Sequence, residues 1–252
     1  MRFRHLAIAL VISTGFSAAL ASPVKAEVAP EVIAITGAPS SATDPNPVTL
    51  DADLYLPEVT PAPAIVLAHG FGGSKSNLES QARQLQSAGY VVLAYTARGF
   101  GKSSGSISMN ATEFEVADAS KIIDYLAARA GVQLDSPNDP VIGFAGASYG
   151  GALSLMIAGT DSRVDAISSD ITWNNLETAL FPQSVITGNS PGVYKQLWTG
   201  LFFSRGLITQ DGLTSRCGRF AIQWCELYEQ VATTGTYLPE QSALLRNSSP
   251  IS

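Results

Sequence analysis

The sequence predicts an α/β fold, a mostly parallel sheet flanked by helices, with a helical cap inserted after the sixth strand. Three observations predict it. From residue 63 onward, short runs that are apolar throughout ("APAIVLA", "YVVLAY", "VIGFAG", "VDAISSD") alternate with helix-like stretches at 75–88, 112–130 and 149–159. Strands apolar on both faces belong to a parallel sheet covered on both sides. A glycine-rich turn, "GFAGASYGG" at 143–151, joins one such strand directly to the helix that follows it. Beyond Asp170 the alternation stops, and all three tryptophans, Trp173, Trp198 and Trp224, fall among weakly helical segments.

The elements follow in order. "EVIAITG" and "VTLDADLYLP" are separated by the Pro, Ser and Asp-rich connection "APSSATDPNP". The second run alternates apolar and polar residues, as a strand with one wet face does, so the pair reads as an antiparallel start. The parallel-sheet runs come next. In the stretch 112–130, Thr112 and Glu115 have the spacing of a capping box, and Val116, Ala119, Ile123, Leu126 and Ala127 share one helical face. Asp118, Lys121 and Asp124 then form the face expected in solvent. Residues 173–246 are predicted to fold as helices over the end of the sheet that carries the turn. Their aromatic residues form either the cap's own core or the wall of a pocket.

The 252 residues, 46% hydrophobic and 14% charged, suffice for one globular core. Residues 1–26 differ from the rest, with Arg2 and Arg4, an apolar run from Leu6 to Leu20, and small residues at two cleavage points. This is the pattern of a secretory signal cut after Ala21 or Ala26. The apolar run is short for a bilayer span, so no stable membrane anchor is expected, and the protein is expected to be secreted or periplasmic. Residues 27–172 then form the core, and 173–252 the cap and the start of a C-terminal part. Cleavage removes Arg2, Arg4 and Lys25 but no acid, so the formal charge moves from −6 to −9. An acidic chain without a basic run argues against nucleic acid as a partner. Cys217 and Cys225, in an oxidising compartment, are placed to form a local disulfide, and their spacing fits no metal site.

Gly146-Ala147-Ser148-Tyr149-Gly150 matches G-x-S-x-G. A serine on a sharp strand-to-helix turn adopts a strained backbone, and its neighbours two before and two after must lack bulk. Ser148 is the candidate nucleophile. At the helix N-terminus, the backbone N–H of Tyr149 is placed to stabilise an oxyanion. The second donor is expected from "LAHGFGG" at 67–73, with the N–H of Phe71 preferred over that of Gly72. "YTARGFGKSSG" at 95–105 lacks the glycines of a nucleotide loop at Thr96 and Ser104, so it reads as a turn in which Arg98 ties loops together. No cofactor and no metal is called for.

Taken together, "HGFGG", "ARGFGKSSG", "GASYGG" and "DITWNNL" resemble the α/β-hydrolases, and within them the X-Pro dipeptidyl-peptidase (S15) and cocaine-esterase-like serine hydrolases. The resemblance implies a Ser-His-Asp triad whose Asp and His follow the serine on later strands. It also implies a peptide or a small ester or amide as substrate. The only histidines, His5 and His69, both precede Ser148. Three accounts of the missing base follow. The carriers lie beyond Ser252, His69 acts in an unusual role, or the protein binds without catalysis or borrows a base from a partner chain. Asp170 ends the strand after the serine's helix, one strand too early for the family's acid. A dipeptidyl-peptidase also needs an acid for the substrate's amine, and Asp170, Asp211 and Glu226 are the candidates. Oligomeric state is not legible.

Overall fold

The structure, a computed structural model, describes residues 28–182, 192–207 and 216–251. The predicted signal and Asp211 lie outside them.

Strands β1 (Glu31–Pro39) and β2 (Pro47–Tyr55) are antiparallel, as the alternating sequence predicts. β3 (Ala64–Ala68), β4 (Val91–Tyr95), β7 (Ile142–Ala147) and β8 (Ala166–Asp170) supply the parallel part. Between them, β5 (Leu134–Ser136) and β6 (Asp139–Pro140) form a separate small hairpin. The main sheet has six strands in the order β1-β2-β4-β3-β7-β8. β2 meets β4 antiparallel, and every pairing from β4 to β8 is parallel.

Successive side chains of a strand point to opposite faces, and the two sides of this sheet divide accordingly. Leu67, Val92 and Ala94 pack with Ala82 of α1 (Glu79–Ser87). Val66, Leu93 and Phe144 face the other way, into the main core with Ile122 and Ile123 of α2 (Ala117–Ala127) and Leu153 and Ile157 of α3 (Tyr149–Thr160). The continuous apolar runs are therefore covered on both sides.

The cap consists of α4 (Leu176–Leu180), α5 (Gln196–Leu207), α6 (Ile222–Thr234) and α7 (Gln241–Asn247). Cys217 and Cys225 are joined by a disulfide, with Cα atoms 5.3 Å apart. The cap is stitched to the core at residue 107. Ile107 N–H donates to the Arg219 carbonyl at 2.8 Å, and Ala221 N–H to the Ile107 carbonyl at 2.9 Å.

Three expectations are corrected. Thr112 and Glu115 form no capping box. Residues Thr112–Val116 make a π-helical turn whose N-cap is Ala111, and Glu115 turns into the core. Asp118 is not a solvent residue: it is 1% exposed and pairs with Arg98, which is itself fully buried, at 2.7 Å. Hydrophobic periodicity places a residue on a face, but it cannot tell that a second loop covers the face's polar side. Finally, β8, the last strand of the sheet among the described residues, is exposed along nearly its whole length, unlike the other parallel strands.

Candidate active site

The turn after β7 is built by its glycines. Ser148 sits at φ 55°, ψ −114°, a left-handed conformation unfavourable for any residue with a side chain. A Cβ on Gly150 would stand 2.1 Å from the Ala68 carbonyl oxygen, and one on Gly146 would stand 2.6 Å from the Gly150 carbonyl carbon. Only glycine at both positions lets β3, β7 and α3 close around the serine. The turn is also clamped from outside. Ser148 N–H donates to the Asp170 carbonyl at 2.9 Å, and Thr172 Oγ1 donates to the Ser148 carbonyl at 2.7 Å.

The loop after β3 faces this turn. A Cβ on Gly70 would lie 3.9 Å from Ser148 Cβ, so the His69–Gly73 segment passes directly over the serine. Gly73 N–H closes a tight turn on the Gly70 carbonyl at 2.9 Å, with Gly72 at φ 80°. The N–H groups of Phe71 and Tyr149 donate to no backbone carbonyl among the described residues. Phe71 lines the same cavity as Ser148, and Tyr149 directly follows the serine at the start of α3.

His69 opens the loop over the serine, but its ring is committed elsewhere. Its Nε2 accepts the Ala97 N–H at 3.0 Å, so Nδ1 carries the proton and donates to the Gly70 carbonyl at 2.8 Å. The ring is 3% exposed, and burial lowers its pKa. With both nitrogens engaged, His69 is a strut between two loops, which argues against the unusual base.

Tyr149 ties the serine's helix to a buried polar group that sequence reasoning missed. Its hydroxyl donates to Glu115 Oε1 at 3.1 Å, and Asn110 Nδ2 donates to its carbonyl at 2.8 Å. Glu115 Oε1 also accepts Ser108 N–H at 2.6 Å. Burial raises the Glu115 carboxyl to about 7, against the pull of Ser108 N–H and Arg98. Burial, and then the Glu115 carboxylate, raise the Tyr149 phenol well above its ordinary range. These contacts span 34 and 39 residues, and no local spacing signals them.

A cavity of about 660 Å³ opens above Ser148 between the sheet and the cap. Phe71, Trp173, Trp198, Phe202 and Tyr228 are among its walls. Cap aromatics thus line the cavity and also pack in the core. Phe203 and Trp224 line it while buried, and Trp198, also in its wall, is 56% exposed. Of the candidate amine-binding acids, Asp170 and Glu226 are exposed and neither lines this cavity. Asp170 contributes its backbone carbonyl instead, while Glu226 borders a separate shallow pocket. Arg98 performs its expected task, donating to Asp118 and to the Pro39 carbonyl at 3.0 Å.

A serine at a strained strand-to-helix turn on a mostly parallel sheet, roofed by helices, defines the α/β-hydrolase class. Within that class the chain belongs to the X-Pro dipeptidyl-peptidase (S15) family, whose model matches residues 46–235. No curated protein matches the chain. Among solved structures, the α/β-hydrolase GrgF from Penicillium sp. sh18 is 16% identical, with a TM-score of 0.51 over 86% of this chain and 73% of that one. A hypothetical protein from Pseudomonas aeruginosa is 18% identical, with a TM-score of 0.51 over 97% of this chain and 81% of that one. DcsB, solved with a substrate analogue, is 22% identical over 64% of this chain, with a TM-score of 0.48. The chain spans 55% of the length of DcsB. At these identities the neighbours speak for the fold alone. Among the described residues, no helix is long and apolar enough to cross a membrane.

Proposed function

We propose that this hydrolase is an exported serine hydrolase that opens ester, amide or peptide bonds through an acyl-enzyme on Ser148. The observation that carries the reading is the unengaged pair of N–H groups, Phe71 and Tyr149, flanking a serine held at φ 55°. In the proposed reaction, Ser148 Oγ attacks the substrate carbonyl and its proton passes to a base. The two N–H groups hold the oxyanion as it forms. The proton then goes to the leaving alcohol or amine, and water releases the acyl group. His69 is fully engaged, so the base comes from outside the described residues. Membership of the peptidase family favours a peptide bond, and the apolar cavity favours an ester or amide.

Fluorophosphonate treatment of the exported protein, with peptide mapping, tests this. Modification at Ser148 that disappears in Ser148→Ala is the expected result. A folded protein that never reacts would sink the enzyme reading. It would leave the second one, a secreted binding protein on the same scaffold, which the engagement of His69 favours.

A further inference from the structure

We infer that Glu115, outside the cavity, is a positioning residue for the proposed reaction: with the Ser108–Asn110 loop it fixes Tyr149 so that the tyrosine's backbone N–H faces the oxyanion. The inference goes one step beyond the reading above and rests on it for the role of that N–H. The other polar groups of Tyr149 are taken by one short segment. Its hydroxyl donates to Glu115 Oε1 at 3.1 Å and accepts the Asn110 N–H at 3.3 Å, and its carbonyl accepts from Asn110 Nδ2 at 2.8 Å. From the other side, Thr172 Oγ1 holds the Ser148 carbonyl at 2.7 Å. That carbonyl and the Tyr149 N–H belong to one planar peptide, so fixing the first aims the second.

The segment is itself strained. Met109 and Asn110 are consecutive non-glycine residues at φ 55° and 61°, a conformation that persists where surrounding contacts over-determine it. Glu115 Oε1 anchors the loop by accepting Ser108 N–H at 2.6 Å, and Trp224 Nε1 of the cap helix α6 donates to the Ser108 carbonyl at 3.1 Å. Met109 and Trp224 line the cavity, whereas Asn110 and Glu115 are buried behind its wall. The loop thus joins the cap and the cavity wall to the first residue of the serine's helix, and Glu115 holds both ends.

Two buried acceptors here, Glu115 Oε2 and Asn110 Oδ1, have no partner among the described residues. A protonated Glu115 brings a donor to this acceptor-rich place, whereas an ionised one adds a charge to it. Burial raises the carboxyl to about 7, against the pull of Ser108 N–H and Arg98. The ionisable groups facing it are Arg98 from the loop after β4, Asp118 from α2, Tyr95 from β4 and Tyr149 from α3. Burial raises both phenols further above their ordinary range, and it raises the Asp118 carboxyl while Arg98 opposes it. Loss of the Glu115 proton therefore loosens the loop, and Tyr149 with it.

The test compares the exported full chain with Glu115→Ala and Glu115→Gln, using hydrolysis of p-nitrophenyl butyrate. At about pH 6, Glu115→Ala should lower kcat ~10-fold or more with KM within about 2-fold, because an oxyanion contact is made in the transition state and its outright loss costs about 10²–10³-fold. Glu115→Gln keeps the acceptor and should restore kcat to near the parent's. The ratio of parent to Glu115→Gln rates should then fall as pH rises through about 7. A residue that only supports packing would move neither the kcat and KM split nor this ratio. In spectra of 15N-tyrosine protein, the Tyr149 amide shift should titrate over the same range in the parent and stay flat in Glu115→Gln. If Ser148 never reacts with fluorophosphonate while the Tyr149 amide follows Glu115, the enzyme reading fails and the coupling stands. If labelling is normal but the rate ratio and the amide are both flat, the inference is overturned and the enzyme reading stands. Should Glu115→Ala fail to fold, the Glu115→Gln ratio and the amide titration still decide.

Discussion

Glu115 has one carboxylate oxygen shared between Ser108 N–H and the Tyr149 hydroxyl and the other without a partner among the described residues. A buried carboxylate with half its bonding capacity unused favours the protonated form, which is why its pKa rises to about 7. The groups around it are Arg98, which opposes the rise, and Asp118, which adds to it. In the unfolded chain the same group titrates near its ordinary 4.5. The folded state therefore holds more protons between pH 4.5 and 7, and stability falls as pH rises through that window. The loss from this one group reaches up to about 3 kcal/mol above it. Glu115→Gln keeps an acceptor for Ser108 and Tyr149 but cannot ionise, so urea unfolding across this range should give a flatter pH profile than the parent. An unchanged slope would mean that Glu115 is not the titrating group. The sequence placed this residue at a helix start because capping spacing is local. Its true partners are set by Met109 and Asn110, which are held at positive φ and aim the Ser108–Asn110 loop at the tyrosine.

At the scale of elements, the strand–turn–helix unit around Ser148 was legible almost completely. An apolar run, a G-x-S-x-G and an apolar helix can pack in few other ways, and β7 and α3 begin and end within a residue or two of the predicted limits. Gly150→Ala tests that packing. The added methyl meets backbone atoms of Ala68, which cannot rotate away, so β3 and α3 must separate. Overpacking of this kind costs ~1–3 kcal/mol, and here it also displaces Ser148. Chemical denaturation should register the loss, and fluorophosphonate labelling should fall with it. An alanine variant of parental stability would contradict the close approach. β8 and the first turn of the 112–130 helix were less legible. An exposed strand and a buried strand can have the same composition, and the capping-box spacing of Thr112 and Glu115 falls on a π-helical turn in which Glu115 is buried.

Over the whole molecule, Arg98 and Asp118 join three distant pieces: β1 through Ala38 and Pro39, the loop after β4, and α2. Both Asp118 oxygens accept from Arg98 at 2.7 Å, and one also takes the Ala38 N–H. Removing one member strands a buried charge, so Asp118→Ala should destabilise the fold by about 3–5 kcal/mol in urea. The pair replacement Arg98→Met with Asp118→Leu should recover much of that loss. If the single change is harmless, the pair is not what holds the three pieces. By itself the sequence determined the antiparallel start, the parallel strands, the serine turn and the position of the loop over it. Each of these depends on residues close together in the chain, through period, glycine placement and the order of elements. Only the tertiary structure decided that Glu115 and Asp118 are buried, that His69 is spoken for at both nitrogens, and that the cavity wall contains Arg205 but neither Asp170 nor Glu226. Those outcomes depend on which distant groups meet in space, and a buried polar side chain is defined by its partner and not by its place in a periodic pattern.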